Sequence, residues 1–280
     1  MTMPGAAVYL FRTSRPRFWL YLAGPVAVGV AYAASEVGEL FTPATFALFG
    51  YFLVPANVLL YGVNDVFDVD VDAENPKKEE REVRYGGDRL VPTAVGLSAL
   101  LALVPFGVTP RIAWPWIAGF LVLGGAYSAP PLRLKTRPPL DSVSNGLYVL
   151  PGAAAYAAVA GGHPPPLAVL GGWLWSMAMH TFSAIPDIEP DRQAGIETTA
   201  TRLGQRRTYA YCALCWALAA AAFGLLDPRL GLLLAPYPVA VVAVAASRVD
   251  VSRAYWWYPA VNTVVGALLT MGALWRLVHG

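Results

Sequence analysis

Residues 61–76 read YGVNDVFDVDVDAENP, and in them a nearly uncharged run ends in four aspartates, Asp65, Asp68, Asp70 and Asp72. Carboxylates this close repel one another. The residues before them have the composition of a lipid-buried helix, where an ionised side chain is costly. Such a stretch asks for a cationic partner, and the rest of the chain says which kind.

Of the 280 residues, 56% are hydrophobic and 14% charged, with a mean hydropathy of +0.49. Soluble domains carry roughly 25% charged residues. The deficit runs along the whole chain and points to an all-α, polytopic membrane protein with one domain over residues 1–280. A helix needs about 20 mostly apolar residues to cross a bilayer. Spans are expected near 18–35, 43–65, 90–108, 112–127, 142–160, 166–186, 208–226, 230–247 and 256–277. That makes nine; merging the third and fourth, which are tightly joined, would make eight. The first apolar run reads as a retained span, with no cleavable signal peptide ahead of it. Net charge is +2, and no nucleic-acid partner is expected. Cys212 and Cys215 have C-x-x-C spacing but no second pair, and they lie inside an apolar span, so they read as helix-packing residues.

Charge placement orients the chain. With nine spans and the N-terminus inside, every lysine and arginine except Arg111, Arg229 and Arg276 falls on the inner side. That asymmetry predicts a cytoplasmic N-terminus. Glu36 and Glu39 read as ordinary outer-loop residues. The remaining acids gather at two inner span ends: Asp65 to Asp72 after the second span, and Asp187, Glu189 and Asp191 after the sixth.

If the second span continues as a helix, Asn64, Asp68 and Asp72 fall at i, i+4 and i+8, and Asp65 joins Asp68 and Asp72 on the same face. Asp70 points away from it. Asp187 and Asp191 are again four apart, with Pro186 and Pro190 set to bend or interrupt that helix. A divalent cation would remove the repulsion within each cluster. Carboxylate and amide oxygens select magnesium or calcium over zinc, and magnesium commonly bridges a few carboxylates to substrate phosphates. Solvated loop acids balanced by nearby cations would explain one such cluster more simply than two.

Cations stand near both clusters. In YSAPPLRLKTRPP, residues 127–139, Arg133, Lys135 and Arg137 alternate after a proline break. Read as an extended segment, they share one side and suit an anion; positive-inside anchoring is the simpler role. Tyr127 sits at the depth of a cavity mouth, or of an interfacial aromatic belt. Arg15 and Arg17 before the first span, and Lys77 and Lys78 after the first cluster, pose the same choice. His180 lies within the sixth span about two turns before Asp187, where a helix–helix hydrogen bond is its ordinary use.

On these residues the chain resembles the UbiA superfamily of intramembrane prenyltransferases. The matching pieces are N-D-x-x-D-x-x-x-D at Asn64, Asp65, Asp68 and Asp72, D-x-x-x-D at Asp187 and Asp191, and the Y-x-x-x-K-type stretch from Tyr127 to Lys135. The resemblance implies nine helices around a central cavity that opens laterally to lipid, under a cytoplasmic cap. It implies two magnesium ions (Mg2+) held by Asn64, Asp65, Asp68, Asp72, Asp187 and Asp191, and an isoprenyl diphosphate gripped by Lys135, Arg133, Lys78 and Arg15. Catalysis would then rest on Asp68, Asp72, Asp187, Asp191 and Tyr127. Within the superfamily, residues 64–87 and 180–204 look most like enzymes that add dimethylallyl units to lycopene in C50 carotenoid synthesis, some of which also hydrate the product. Many relatives read N-P-x-R-P after the first motif, where this chain has Asn75-Pro76-Lys77-Lys78-Glu79-Glu80-Arg81. Competing acceptors are an aromatic ring, geranylgeranylglyceryl phosphate, or the tail-accepting ring of a chlorophyll or haem. A cation transporter is the reading from a different class.

Overall fold

The computed structural model describes residues 6–68, 85, 87, 89–247 and 249–280, and every secondary-structure element among them is helical. The helical stretches Pro43–Phe67, Leu90–Val108, Leu140–Ala160, Gln205–Leu226, Pro228–Ala246 and Val251–His279 are long and apolar enough to cross a membrane. The other three expected spans coincide with helices Trp19–Ala33, Trp114–Ser128 and Pro166–Ser183, of 15, 15 and 18 residues. At about 1.5 Å per residue all three fall below the roughly 30 Å of a hydrocarbon core, the two shorter ones most.

Several long segments are broken where the sequence dictates. The helix Pro43–Leu53 stops at Val54, and Pro55 opens the next, Pro55–Phe67. A proline has no N–H to give the preceding turn and clashes with it. Here the neighbouring carbonyls are served by a side chain: the Asn57 amide donates to the Phe52 and Leu53 carbonyls at 3.1 and 3.0 Å. In lipid this substitution matters, since no water can take the place of the missing donors. The same punctuation recurs at Pro236, which opens Pro236–Ala246 directly after Pro228–Leu234.

The chain divides into two compact units. The first comprises Met1–Leu132, Pro151–His163 and Ala273–Gly280. In it Trp19–Ala33 packs on Pro43–Leu53, and Leu90–Leu101 on Pro55–Phe67. Leu22, Val26, Leu48, Phe52, Ile117 and Phe120 are fully buried, and the Phe52 and Phe120 rings meet edge to face at 5.0 Å. Small residues let backbones touch, as is usual between membrane helices: a Cβ on Gly29 would sit 2.2 Å from the Gly152 carbonyl oxygen, and one on Gly152 would sit 2.8 Å from that of Pro25. In the short 3-10 helix Val37–Phe41, outside the expected spans, Glu39 accepts hydrogen bonds from the Ser35 N–H and hydroxyl at 2.7 and 3.0 Å, which hold its carboxyl below the usual carboxylate range.

The second unit comprises Arg133–Leu150 and Pro164–Gly272. Pro166–Ser183 lies along Gln205–Leu226, which also packs on Pro228–Leu234 and Pro236–Ala246. Its centre is aromatic: Phe182 and Tyr258 are 5.0 Å apart, Trp216 stacks on Tyr258 at 5.8 Å, and Tyr237 meets Trp216 at 5.5 Å. Cys212 and Cys215 are free and buried in this core, which is the packing role expected of them.

Two local expectations are corrected. The second span does not run as a helix through the first acidic cluster. Pro55–Phe67 ends one residue short of Asp68, which caps it at φ −112°, ψ 12°. Arg133 to Arg137 is not extended either. Leu134–Thr136 forms a 3-10 turn after Arg133, whose φ is 42°, so strict alternation does not set which way the three cations face. Pro130-Pro131 before and Pro138-Pro139 after frame this turn, and among the described residues no strand pairs with it. By contrast, the interruption expected around Pro186 is present: Pro166–Ser183 gives way to a 3-10 turn Ile185–Asp187 and then to Ile188–Gln193.

Candidate active-site residues

The first cluster grows from the last turn of Pro55–Phe67. Asp65 and Asp68 are nearly excluded from solvent, at 3% and 8% exposure. Arg15 Nη2 approaches Asp65 Oδ1 at 3.3 Å, and its guanidinium lies over the Tyr61 ring, 4.5 Å from the centroid. Arg15 adopts a left-handed backbone, φ 49° and ψ 69°. A non-glycine residue holds that conformation only where its surroundings over-determine it; the following Pro16, which disfavours the right-handed helical region for its predecessor, contributes. Arg15, expected at the diphosphate, is thus placed against the first carboxylate cluster.

Asn64 is fixed from a neighbouring helix. The Ser128 hydroxyl, 1% exposed as a residue, donates to Asn64 Oδ1 at 3.0 Å. Ser128 ends Trp114–Ser128, so this bond brings the turn that carries half-buried Tyr127 to the first cluster. Sequence reasoning missed Ser128 and Tyr61. The signal for Ser128 was present, a hydroxyl directly after the singled-out Tyr127.

In the second unit Asp187 and Asp191 are both half-buried, and Glu189 is exposed. The backbone around them is tied down locally. Ile196 N donates to the Asp191 carbonyl at 2.8 Å. Arg192 donates to Glu189 Oε1 at 2.8 Å and to the Thr201 carbonyl at 2.9 Å. Thr198 caps the next helix, Thr199–Leu203, in a capping box with Thr201. Arg133 and Lys135 are half-buried and Arg137 is exposed. His180 is half-buried near the end of Pro166–Ser183. Asp72, Lys77, Lys78 and Asp70 lie outside the described residues.

Asp141 escaped sequence reasoning entirely. It is 1% exposed, and its carboxylate accepts from both the Thr199 N–H (2.8 Å) and the Thr199 hydroxyl. This pins the segment that follows the second cluster. Its signal was an acid one residue into an apolar span, LDSVSNGLYVL, overlooked because it forms no pair with another carboxylate in the sequence.

The donor set fits a hard divalent cation. Every expected ligand offers a carboxylate or carboxamide oxygen and none offers sulphur or imidazole, the pattern that favours magnesium or calcium. Asp65 and Asp68 are also too buried to rely on bulk water for charge compensation. Among the described residues no group of three or more His, Cys, Asp or Glu side chains converges as a metal site; the third acid of the first motif, Asp72, is not among them.

Comparison with known proteins identifies the family. The model of the UbiA prenyltransferase family matches residues 22–271, a range that includes both acidic clusters. A lycopene elongase/hydratase of Haloferax volcanii is 67% identical over 273 residues, 98% of this chain and 91% of that protein. One of Halobacterium salinarum is 62% identical, covering 97% and 99%. A UbiA homologue from Archaeoglobus fulgidus, solved bound to GPP and Mg2+, shares the fold with a TM-score of 0.75 at 19% identity, covering 94% of this chain and 99% of that one. Helices interrupted at the same chain positions that carry the motifs, and a family match spanning nine-tenths of the sequence, lead to one conclusion: the chain belongs to the UbiA prenyltransferase family.

Proposed function

We propose that this chain transfers an allylic isoprenyl group, dimethylallyl from its diphosphate, to the ends of lycopene, and hydrates part of the product. The observation that carries the reading is the 67% identity, over 98% of the chain, to a protein named lycopene elongase/hydratase. It is supported by the fold shared with a UbiA homologue solved with DMAPP and Mg2+ and by the all-oxygen donor set at the two acidic motifs. The nine-helix count, a cytoplasmic cap and N-terminus, and one catalytic domain across both units belong to this reading.

Asn64, Asp65, Asp68, Asp72, Asp187 and Asp191 would hold magnesium. When bound, that metal supplies positive charge to the departing diphosphate. The chain's own residues do the rest. Lys135, Arg133, Lys78 and Arg15 grip the anion, and charge-assisted bonds of this kind are the strong ones. Ser128 keeps the Asn64 oxygen turned to one side. The Tyr127 ring faces developing positive charge, where an aromatic face is favourable. An apolar surround excludes water until the new carbon–carbon bond is made.

The test is expression in a lycopene-producing bacterial host, with pigments extracted and weighed by mass spectrometry. Products one and two five-carbon units heavier than lycopene, anhydrous or hydrated, are expected. Unchanged lycopene, with prenylation of an added aromatic acid or a glycerol phosphate ether by the same membranes, overturns the acceptor and keeps the family activity.

A further inference from the structure

Asp141 is a buried acid that belongs to neither acidic motif, and it is bonded to two of the segments described above. Its backbone is held from three sides. Its N–H donates to the Arg137 carbonyl at 3.2 Å, which joins the Leu140–Val143 turn to the segment that carries Arg133, Lys135 and Arg137. The Asn145 amide donates to the Asp141 carbonyl at 2.6 Å. The next residue, Ser142, has its hydroxyl 2.8 Å from Thr181 Oγ1 on Pro166–Ser183, the helix that leads into Asp187. Asp141, Ser142, Asn145 and Thr181 are all at or below 4% exposure.

From this fixed point the carboxylate reaches Thr199, accepting from its N–H at 2.8 Å and from its hydroxyl. Thr199 opens Thr199–Leu203 and is 5% exposed. Further bonds run back along the chain to the second acidic motif. Arg192 donates to the Thr201 carbonyl at 2.9 Å, and the Ile196 N–H to the Asp191 carbonyl at 2.8 Å. The Arg192–Glu189 ion pair is exposed and fixes little by itself. The Asp141–Thr199 pair is buried. Two bonds to a carboxylate are strong there, because they are charge-assisted and the local dielectric is low. All of these residues belong to the second unit.

We infer that Asp141 is a positioning residue: through Thr199 it holds the loop that bears Asp187 and Asp191 in a set relation to the turn that bears Arg133 and Lys135. This rests on the proposed function above, in which the acids hold magnesium and the cations grip the diphosphate. Asp141 acts on both through the backbone and takes no part in bond making. The consequence follows from populations. A loop without its strut must be ordered each time metal and diphosphate bind. The apparent dissociation constant then rises by the inverse of the fraction of molecules already in place. Once bound, the ligands hold the loop themselves, and the chemical step changes little. The strut therefore acts on affinity and not on turnover.

The experiment compares detergent-solubilised wild type with Asp141→Ala, Thr199→Val, Thr199→Ser and the double variant Asp141→Ala/Thr199→Val. Mn2+ is titrated without substrate and followed by electron paramagnetic resonance. Amide hydrogen exchange is read over residues 187–203, and turnover of labelled dimethylallyl diphosphate with lycopene is measured at several Mg2+ concentrations. Groups that orient a metal's ligands are worth about 10–100-fold in its affinity. Asp141→Ala should therefore weaken Mn2+ binding at least about tenfold and speed exchange in 187–203. It should raise KM for the diphosphate while kcat stays within about threefold of wild type. Thr199→Val, which keeps the N–H, should show a smaller loss of the same kind, and Thr199→Ser should match wild type. The double variant should be no worse than Asp141→Ala, since both changes break one connection. A wild-type Mn2+ midpoint in Asp141→Ala, additive losses in the double variant, or a fall of kcat at constant KM overturns the inference. If Asp141→Ala does not reach the membrane, Thr199→Val decides, and wild-type Mn2+ binding there overturns it. A wild type that binds no Mn2+ and turns over without Mg2+ sinks the metal reading itself, which separates the two failures.

Discussion

Replacing Asn57 by leucine tests the account of the broken second span. Asn57 is 0% exposed, and its amide donates to the carbonyls of Phe52 and Leu53, which lie in the last turn of Pro43–Leu53. Leucine keeps the branched outline of the amide but is bulkier, so any overpacking adds to the loss. The two donors vanish, and two buried carbonyls lose them. An unsatisfied buried acceptor costs about 1–3 kcal/mol, and measured hydrogen bonds in membrane proteins average nearer 0.6 kcal/mol. Two of them place the loss between about 1 and 6 kcal/mol. A second contribution opposes it: Asn57 Oδ1 has no hydrogen-bond partner among the described residues, and leucine removes that burial. The expected net is about 2 kcal/mol, which for a chain of this size lowers Tm by roughly 4–8 °C. Thermal unfolding of the detergent-solubilised protein, followed by far-UV circular dichroism, reads it. Asn57→Asp should fall further, since an ionised carboxylate would face the same two carbonyls. A Tm within about 1 °C of wild type for Asn57→Leu would refute the reasoning, and would mean that the Pro55 break satisfies itself.

Asp68→Ala and Asp191→Ala should each cut prenyl transfer by at least about a hundredfold while the protein still reaches the membrane; turnover of labelled diphosphate by washed membranes measures it. Lys135→Ala should raise KM for the diphosphate more than for the acceptor, and Tyr127→Phe should lower kcat, as steady-state kinetics in the same membranes would register. Gly152→Leu forces a side chain into the Pro25 carbonyl, 2.8 Å from where its Cβ would stand. It should destabilise the protein by about 1–3 kcal/mol, seen as a lower unfolding temperature.

What the sequence made legible were features written in composition and spacing. Apolar segments bounded by charge located the helices, because a lipid-facing helix has to be apolar for about 20 residues whatever it packs against. The two acidic clusters stood out because carboxylates seldom gather at apolar span ends without a partner. Cys212 and Cys215 read correctly as packing residues because their surroundings were apolar all round. What was not legible depended on which helix lies beside which. Ser128 matters through its bond to Asn64, 64 positions away in the chain, and Asp141 through Thr199, 58 positions away. Neither separation leaves a periodic trace. Arg15 is half in this class: its charge marked it out, but its contact with Asp65 follows from a left-handed turn that no propensity suggests for arginine.

The helix Pro166–Ser183 shows why these two kinds of information sit on one element. Its partner Gln205–Leu226 contributes the buried Cys212, Cys215 and Trp216 to the core that it shares, and Phe182 packs into the Trp216 and Tyr258 rings. That face needs only bulk and is tolerant of exchange among apolar residues. The residues that flank Phe182, Thr181 and Ser183, are both hydroxyls hydrogen-bonded to backbone, and His180 precedes them. A single helical turn therefore changes from an oily face to a polar one as the chain passes around the axis. The oily face holds the helix in place, and the cost of burying Thr181 and Asp141 is met by bonds that the packing keeps in register. A substitution that loosens the aromatic face, such as Trp216→Ala, should on this argument disturb the polar face as well, with amide hydrogen exchange in residues 177–183 of the solubilised protein speeding up while the rest of the chain stays protected. Exchange that speeds up equally throughout the chain would show that the two faces fail together as one folded unit.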